Sequence, residues 1–265
     1  MSELNALFRK RIGMSEHEAI TFDKLDTLLE KAALRIPFEN LRVIEGKTKA
    51  ITKENVVDKI LLHQEGGLCY ELNSLLYFFL IENGFDAVLT RGVVYKPAEQ
   101  QYLAIGETHL TILLVHAGQT YLVDTGFGGN LPMKPVPLNG EVVSSSNGEF
   151  RIRKENSEYG DHVFEMKLKH KDTDWRIGYA FYENKPIADL SACDEIQTII
   201  VSHEESPFNK TPLLTQLTAN GSVTLTNTSF TQWVDGVVTK ESIDSARFKE
   251  LAKQYFNWRD WDSYA

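Results

Sequence analysis

Phe22, Leu25, Leu28, Leu29, Ala32 and Ala33 recur at steps of three and four, the spacing that gathers apolar side chains on one face of a helix. Pro37 closes that segment, because proline has no N–H for an interior helical bond. A second helix is expected from about Thr52 to Leu62. A third begins near Cys69, with Leu72, Leu75, Leu76, Phe79 and Leu80 on one face and Gly84 as its stop. Beyond Gly84 the pattern becomes that of strands, at residues 87–95, 108–115 and 119–124. Ala117-Gly118, between the last two, is a tight-turn signal. Pro132, Pro135 and Pro137 interrupt the series, and residues 144–148 read as a polar loop rather than a linker. Alternation resumes from Phe150 to Tyr182. Asn220-Gly221 and Asp235-Gly236 signal two further hairpins, and a terminal helix carries Phe248, Leu251, Ala252 and Tyr255 on one side. No internal repeat is visible. Helices first, then strands, then strands with a helix, predict an α+β chain with segregated layers.

A chain of 265 residues has room for one large domain or two to three packed subdomains, at roughly 100–200 residues per domain. It buries enough surface to need no disulfide or metal staple. Lys and Arg number 28 against 37 Asp and Glu, a net charge of −9, which argues against a nucleic-acid partner, since that affinity comes from clustered cations. The first residues lack the apolar run of a signal peptide, and no stretch approaches the roughly 18 apolar residues of a membrane span. The expectation is therefore a cytoplasmic protein with no membrane contact. Cys69 and Cys193 form no CxxC or Cys/His cluster, so they are expected to be reduced thiols with no metal between them.

Gly66-Gly67-Leu68-Cys69-Tyr70-Glu71-Leu72-Asn73 places a cysteine after a glycine pair and at a helix start. Unpaired N–H groups and the positive end of the helix dipole favour an anion there, which activates a thiol. Cys69 is thus a candidate nucleophile; the competing reading is a small buried hydrophobe. Cys193 has no glycine turn before it and is expected to be inert.

A nucleophilic cysteine needs a base, and seven histidines compete. Symmetric pairing about Ala117-Gly118 sets Thr111 opposite Asp124, and His109 shares a face with Thr111. Asp124 then lies diagonal to His109, about 7–8 Å away at the backbone and within side-chain reach. That geometry lets a carboxylate orient an imidazole, and with Cys69 the three would form a Cys-His-Asp triad. The inference depends on register, since an odd-length loop would turn Asp124 to the other face. Taken singly, His109 also reads as a strand-end histidine and Asp124 as a strand-ending turn residue. His116 is expected to face solvent, and His17, His63, His162, His170 and His203, in polar contexts, are assigned to the solvated surface. Asp124-Thr-Gly-Phe-Gly-Gly129 is either a chain reversal or a glycine loop whose N–H groups approach an anionic group. Phe38, in Arg35-Ile-Pro-Phe-Glu-Asn40, lines a pocket or packs in the core.

These segments together resemble the arylamine N-acetyltransferase family, bacterial type. The matching motifs are Ile36-Pro-Phe-Glu-Asn40, Gly66-Gly-Leu-Cys-Tyr-Glu-Leu-Asn73, His109 followed by Leu-Thr-Ile-Leu-Leu, and Tyr121-Leu-Val-Asp-Thr-Gly-Phe-Gly128, with Arg11-Ile12-Gly13 also similar. The resemblance runs from about residue 5 through residue 140. It implies an N-terminal helical bundle (1–85), a central β-barrel (86–190) and a C-terminal α/β lid (191–265), the first two arranged as in cysteine proteinases. By motif, Cys69 would accept the acetyl group, His109 would be its proton partner and Asp124 the orienting carboxylate. Gly106, Gly126, Phe127 and Gly128 match residues near coenzyme A, and Phe38 and Phe127 match aromatic residues of the acceptor pocket. One departure stands out. The family usually has Arg before the Gly-Gly-x-Cys segment and this chain has Glu65, so Lys59 or Arg42 is expected to compensate, or else the loop is held differently.

The resemblance implies acetyl-CoA as co-substrate, no metal, an arylamine or hydrazine acceptor, a ping-pong route through acetyl-Cys69 and a role in xenobiotic metabolism, with O-acetylation of N-hydroxyarylamines as a side activity. Rival readings are an amide synthase of the same fold using another acyl thioester, a cysteine hydrolase, and a non-catalytic ligand-binding relative.

Overall fold

A computed structural model describes residues 2–258; residues 259–265, the end of the expected lid, lie outside the described residues. The helices are α1 (Glu3–Ile12), α2 (Leu25–Ala33), α3 (Leu41–Ile44), α4 (Lys53–Val56), α5 (Cys69–Glu82), α6 (Ser191–Ser202) and α7 (Ser245–Phe256). The strands are β1 (Phe38–Glu39), β2 (Asp86–Lys96), β3 (Gln101–Tyr102), β4 (His109–His116), β5 (Gln119–Val123), β6 (Val136–Pro137) and β7 (Val143–Ser145), then β8 (Gly148–Ser157), β9 (Gly160–Leu168), β10 (Arg176–Pro186), β11 (Leu213–Thr218), β12 (Gly221–Thr226), β13 (Ser229–Val234) and β14 (Val237–Ser242).

The apolar stripe from Phe22 opens as a 3-10 turn, Phe22–Lys24, and is α-helical only from Leu25. The helix expected over 52–62 is α4 followed by a π-helical segment, Val57–Leu62, closed by a bond from His63 N–H to the Asp58 carbonyl at 2.9 Å. Thr52 caps it by accepting from Asn55 N–H, as its hydroxyl position before the first turn favours. Helices α1 and α6 have no counterpart in the expected elements; α1 buries Leu4, Phe8 and Ile12 at steps of four.

The hairpin β4–β5 has the expected turn, with Ala117 and Gly118 at φ 49° and 78°. Its register runs from His116 opposite Gln119 to Ile112 opposite Val123. The β11–β12 turn is Ala219-Asn220, one residue earlier than an Asn-Gly turn, because Thr218 pairs with Gly221. Gly221 belongs to the strand, where a Cβ would fall 1.9 Å from the Trp233 carbonyl oxygen. Asp235-Gly236 forms its turn as expected, with φ of 49° and 84°.

One sheet of nine strands runs β6-β5-β4-β2-β10-β9-β8-β7, with β3 paired to β2. It curls into a nearly closed barrel around Leu113, Leu122, Phe150, Ile152, Phe164, Tyr179 and Phe181. The second sheet runs β1-β11-β12-β13-β14, and α7 packs Phe248, Leu251 and Phe256 on it. The largest core joins α1, α2 and α5 to the faces of β2 and β4, and α6 closes it with Cys193, Ile196 and Ile200. Nearly all of α5 from Cys69 to Leu80 is buried, the condition of a helix that is apolar on every side. β1 is short but central. It pairs Phe38 with Thr215 and Glu39 with Leu214, and Phe38 bridges in parallel to Gly67, so the cysteine loop and the last sheet meet there.

His162, assigned above to the solvated surface, is instead buried, stacked near Phe181 with ring centroids 5.6 Å apart. The reason is that β9 is covered on both faces, so alternation does not turn every second residue to water. His17, His63, His116 and His170 are exposed, and His203 is half-buried. Cys193 is buried against Ser74 Oγ at 3.6 Å, and burial pushes its thiol up to about 11. No helix among the described residues is long and apolar enough to cross a membrane.

Candidate active site

Cys69 is the first residue of α5, so no carbonyl of its own helix accepts from its N–H. The N-cap, Leu68, has no oxygen to offer, and the helix is capped by Glu71, whose Oε2 accepts from Leu68 N–H at 2.9 Å. Gly66 and Gly67 are required by close approach. A Cβ at Gly66 would lie 2.1 Å from the Pro37 carbonyl oxygen, and one at Gly67 would lie 2.8 Å from Glu71 Oε2.

The first residue of β4, His109, comes beside this helix start. Its Nε2 is 2.7 Å from Asp124 Oδ2, in the turn that follows β5. The other ring nitrogen, Nδ1, is left free of Asp124, and the Cys69 Sγ lies 3.5 Å from the carbonyl oxygen of Thr108, the residue before His109. All three side chains are buried, Cys69 at 7%, His109 at 3% and Asp124 at 1% exposure. Burial alone would push the His109 pKa down; the charge of Asp124 and the hydrogen bonds to Asp124 and Cys69 outweigh it and push the imidazole up to about 10. Burial likewise disfavours an ionised Asp124, and the opposing charge of His109 with three further hydrogen-bond donors holds it below the usual carboxylate range.

Two residues that complete this arrangement are given no role by the sequence, although Asn73 ends the cysteine motif. Asn73 lies one turn along α5 from Cys69. Its Nδ2 donates to Asp124 Oδ1 at 2.9 Å and to the Leu110 carbonyl at 2.7 Å, while its Oδ1 accepts from Thr125 N–H and the Thr125 hydroxyl. Tyr179, on β10, donates to Asp124 Oδ2 at 2.8 Å. With His109 and Gly126 N–H, the Asp124 carboxylate accepts four hydrogen bonds. The i, i+4 spacing of Asn73 from Cys69 is a signal the sequence offers; Tyr179 offers none, because only the pairing of β10 with β2 brings it in.

The glycine loop after Asp124 wraps the cysteine. A Cβ on Gly126 would fall 2.6 Å from Cys69 Cα, so only glycine fits. Phe127 sets its ring edge-to-face with His109 and Tyr179 at 5.0 and 5.1 Å. Gly128 takes φ +60° beside Phe38 and Thr215, the left-handed conformation that glycine adopts without strain. Phe38 packs on Phe208 at 5.5 Å. The loop and Phe38 thus share one side of the site with Cys69. Gly106, at φ +72°, starts the turn into Thr108 and His109, its carbonyl accepting from Thr108 N–H at 2.8 Å.

The departure at residue 65 is compensated by both expected cations. Arg42 grips Glu65 with two donors, Nε to Oε2 at 2.9 Å and Nη2 to Oε1. Lys59 serves Glu39 and Glu71, at 3.2 and 2.7 Å.

Known proteins of similar sequence and fold identify the family. A family model described as N-acetyltransferase matches residues 21–259. A crystal structure of arylamine N-acetyltransferase C from Bacillus anthracis superposes with a TM-score of 0.92 at 40% identity, covering 97% of this chain and 99% of that one. Another, from Bacillus cereus and described as having a unique Cys-His-Glu catalytic triad, gives 0.91 at 39% identity over 97% and 98%; Asp124 stands in this chain. An uncharacterized acetyltransferase of Bacillus subtilis (strain 168) is 41% identical over 93% of this chain and 95% of its own length. With the family model spanning most of the sequence and the backbone matched from end to end, the chain is an acyltransferase and belongs to the arylamine N-acetyltransferase family.

Proposed function

We propose that the chain moves an acetyl group from acetyl-CoA to an arylamine or hydrazine through an acetyl-thioester on Cys69. The observation that carries the reading is the buried His109, tied to Asp124 through Nε2 next to Thr108, whose carbonyl meets the Cys69 thiol at the start of a helix. Cys69 gives its proton to His109 and attacks the thioester carbonyl. The amide N–H of Cys69, free of its own helix, donates to the oxyanion. The C–S bond to CoA breaks, and the CoA sulfur takes the proton from His109. In the second half the neutral amine attacks the acetyl-cysteine, His109 accepts the amine proton, and the Cys69 sulfur leaves. An arylamine suits this step because it stays neutral at pH 7 and its ring packs on Phe38 and Phe127. An N-hydroxyarylamine accepts on oxygen by the same path.

Gly106, Gly126, Phe127 and Gly128 are assigned to CoA; glycines let the thioester arm approach the backbone beside Cys69. The division into units 1–85, 86–190 and 191–265 is supported by the barrel core and the C-terminal sheet, with α6 lent to the helical core. Two free cysteines suit the reducing cytoplasm.

Intact-mass spectrometry after mixing with acetyl-CoA tests the reading. One acetyl on Cys69, absent in Cys69→Ala and discharged by an anisidine, is the expected result. Acetyl-CoA left intact, with another acyl thioester accepted, moves the assignment to an amide synthase; peptide cleavage without CoA moves it to a hydrolase.

A further inference from the structure

We infer that Lys59 is a positioning residue for Cys69, the buried ammonium that fixes the strand before the cysteine loop and the loop itself to the start of α5. The inference rests on the acetyl-transfer reading above. The Lys59 side chain is 13% exposed, and its Nζ sits 2.7 Å from Glu71 Oε1 and 3.2 Å from Glu39 Oε1. Each carboxylate spends its second oxygen on backbone. Glu71 Oε2 holds Leu68 N–H at 2.9 Å, the residue next to Cys69, and Glu39 Oε2 holds Leu41 N–H at 2.6 Å. Glu39 N–H in turn donates to the Gly67 carbonyl at 3.0 Å. One ammonium therefore governs both sides of the loop that delivers the thiol.

Arg42 is committed to Glu65 and Glu45. Among the described residues Lys59 is the cation within 4 Å of Glu39 or of Glu71. Its aim comes from the π-helical turn Val57–Leu62. Such a turn inserts a residue and leaves carbonyls without their usual partners; here the Lys59 carbonyl accepts from Glu65 N–H at 3.1 Å and the Ile60 carbonyl from Arg11 Nε at 3.3 Å. The widened turn is thus stitched to the cysteine loop at one carbonyl while its ammonium reaches the two glutamates.

The test is the single-turnover rate of Cys69 acetylation, measured over a range of acetyl-CoA concentrations in Lys59→Met, Lys59→Arg and the double variant Lys59→Met/Glu39→Gln. In Lys59→Met the maximal rate should fall at least about tenfold, since roughly 1 Å of misplacement costs on the order of a hundredfold, with little change in half-saturation. Lys59→Arg should recover most of the rate. Methylammonium should restore part of it in Lys59→Met, entering the cavity of about 240 Å³ that Lys59, Glu65 and Glu71 line. If Lys59→Met fails to fold, the double variant replaces it, because it leaves one carboxylate facing the open cavity. A folded variant that acetylates Cys69 at the wild-type rate overturns the inference. So does a loss of rate that tracks unfolding and ignores both Lys59→Arg and methylammonium. If the wild-type protein takes no acetyl group, the acetyl-transfer reading is what fails, and the same comparison is read from the rate of Cys69 alkylation by iodoacetamide.

Discussion

Replacing Asp124 by Asn keeps the shape of the side chain and removes half of its acceptors. The carboxylate accepts from Asn73 Nδ2 and Gly126 N–H on one oxygen and from His109 Nε2 and Tyr179 OH on the other. An amide has one oxygen and one NH2. With the oxygen turned to Asn73 and Gly126, the NH2 faces His109, so Nε2 becomes an acceptor and the ring proton moves to Nδ1, the nitrogen that takes the proton of Cys69 in the proposed route. Acetylation of Cys69 should fall by on the order of 10²–10⁴. The stability change has a pH signature. His109 is held at about 10 against 6.5 for a free imidazole, so its contribution is fully present below about pH 6.5 and is lost as pH rises through about 10. Linkage makes that contribution on the order of 4 kcal/mol at pH 7 and close to nothing at pH 10. Urea denaturation of wild type and Asp124→Asn should therefore differ clearly less at pH 10 than at pH 7. An equal difference at the two pH values, or wild-type acetylation in the variant, would refute the reasoning.

Gly126→Ala should cost about 1–3 kcal/mol in urea denaturation and suppress acetylation, because the new Cβ meets backbone at Cys69 Cα, 2.6 Å away, rather than a side chain able to yield; an unaltered denaturation midpoint argues against that contact. Tyr179→Phe removes the hydroxyl that donates to Asp124 Oδ2. It should lower stability by about 1.5–3 kcal/mol and slow acetylation less than Asp124→Asn does; an equal loss of rate would mean that Tyr179, not His109, is the partner that matters to the carboxylate.

The parts legible in the sequence are those settled by local chemistry. A two-residue turn at Ala117-Gly118 fixes which residues face each other, and that alone brings His109 and Asp124 to one face. A glycine pair before Cys69 marks a helix start, although the glycines are there for contact with Pro37 and Glu71 rather than for a turn. What stayed hidden depends on distant pairing. Tyr179 reaches Asp124 only because β10 lies beside β2, a choice made by closure of the barrel. His162 is buried because β9 is covered on both faces, which alternation cannot foretell. Lys59 falls in a segment whose apolar spacing predicts an ordinary helix, and its aim follows from a π-turn that no local signal announces.

The site gathers its members from separate elements, Cys69 from α5, His109 from β4 and Asp124 from the turn after β5, and such an arrangement holds only if the layers are tied together. Asn73 supplies that tie. Both of its N–H donors and its carbonyl are used, on Leu110 of β4, on Asp124 and on Thr125, so a single side chain of α5 fixes the hairpin in position and in register with the cysteine helix. Each of those groups is buried or half-buried, where an unmade hydrogen bond costs about 1–3 kcal/mol. Sliding the helix along the sheet would break several at once. The same side chain also shares Asp124 Oδ1 with Gly126 N–H, which leaves Oδ2 for His109 and Tyr179. The tie between layers and the orientation of the imidazole are therefore one hydrogen-bond network, and the placing of the Cys69 thiol relative to His109 is set by the packing of α5 on β4.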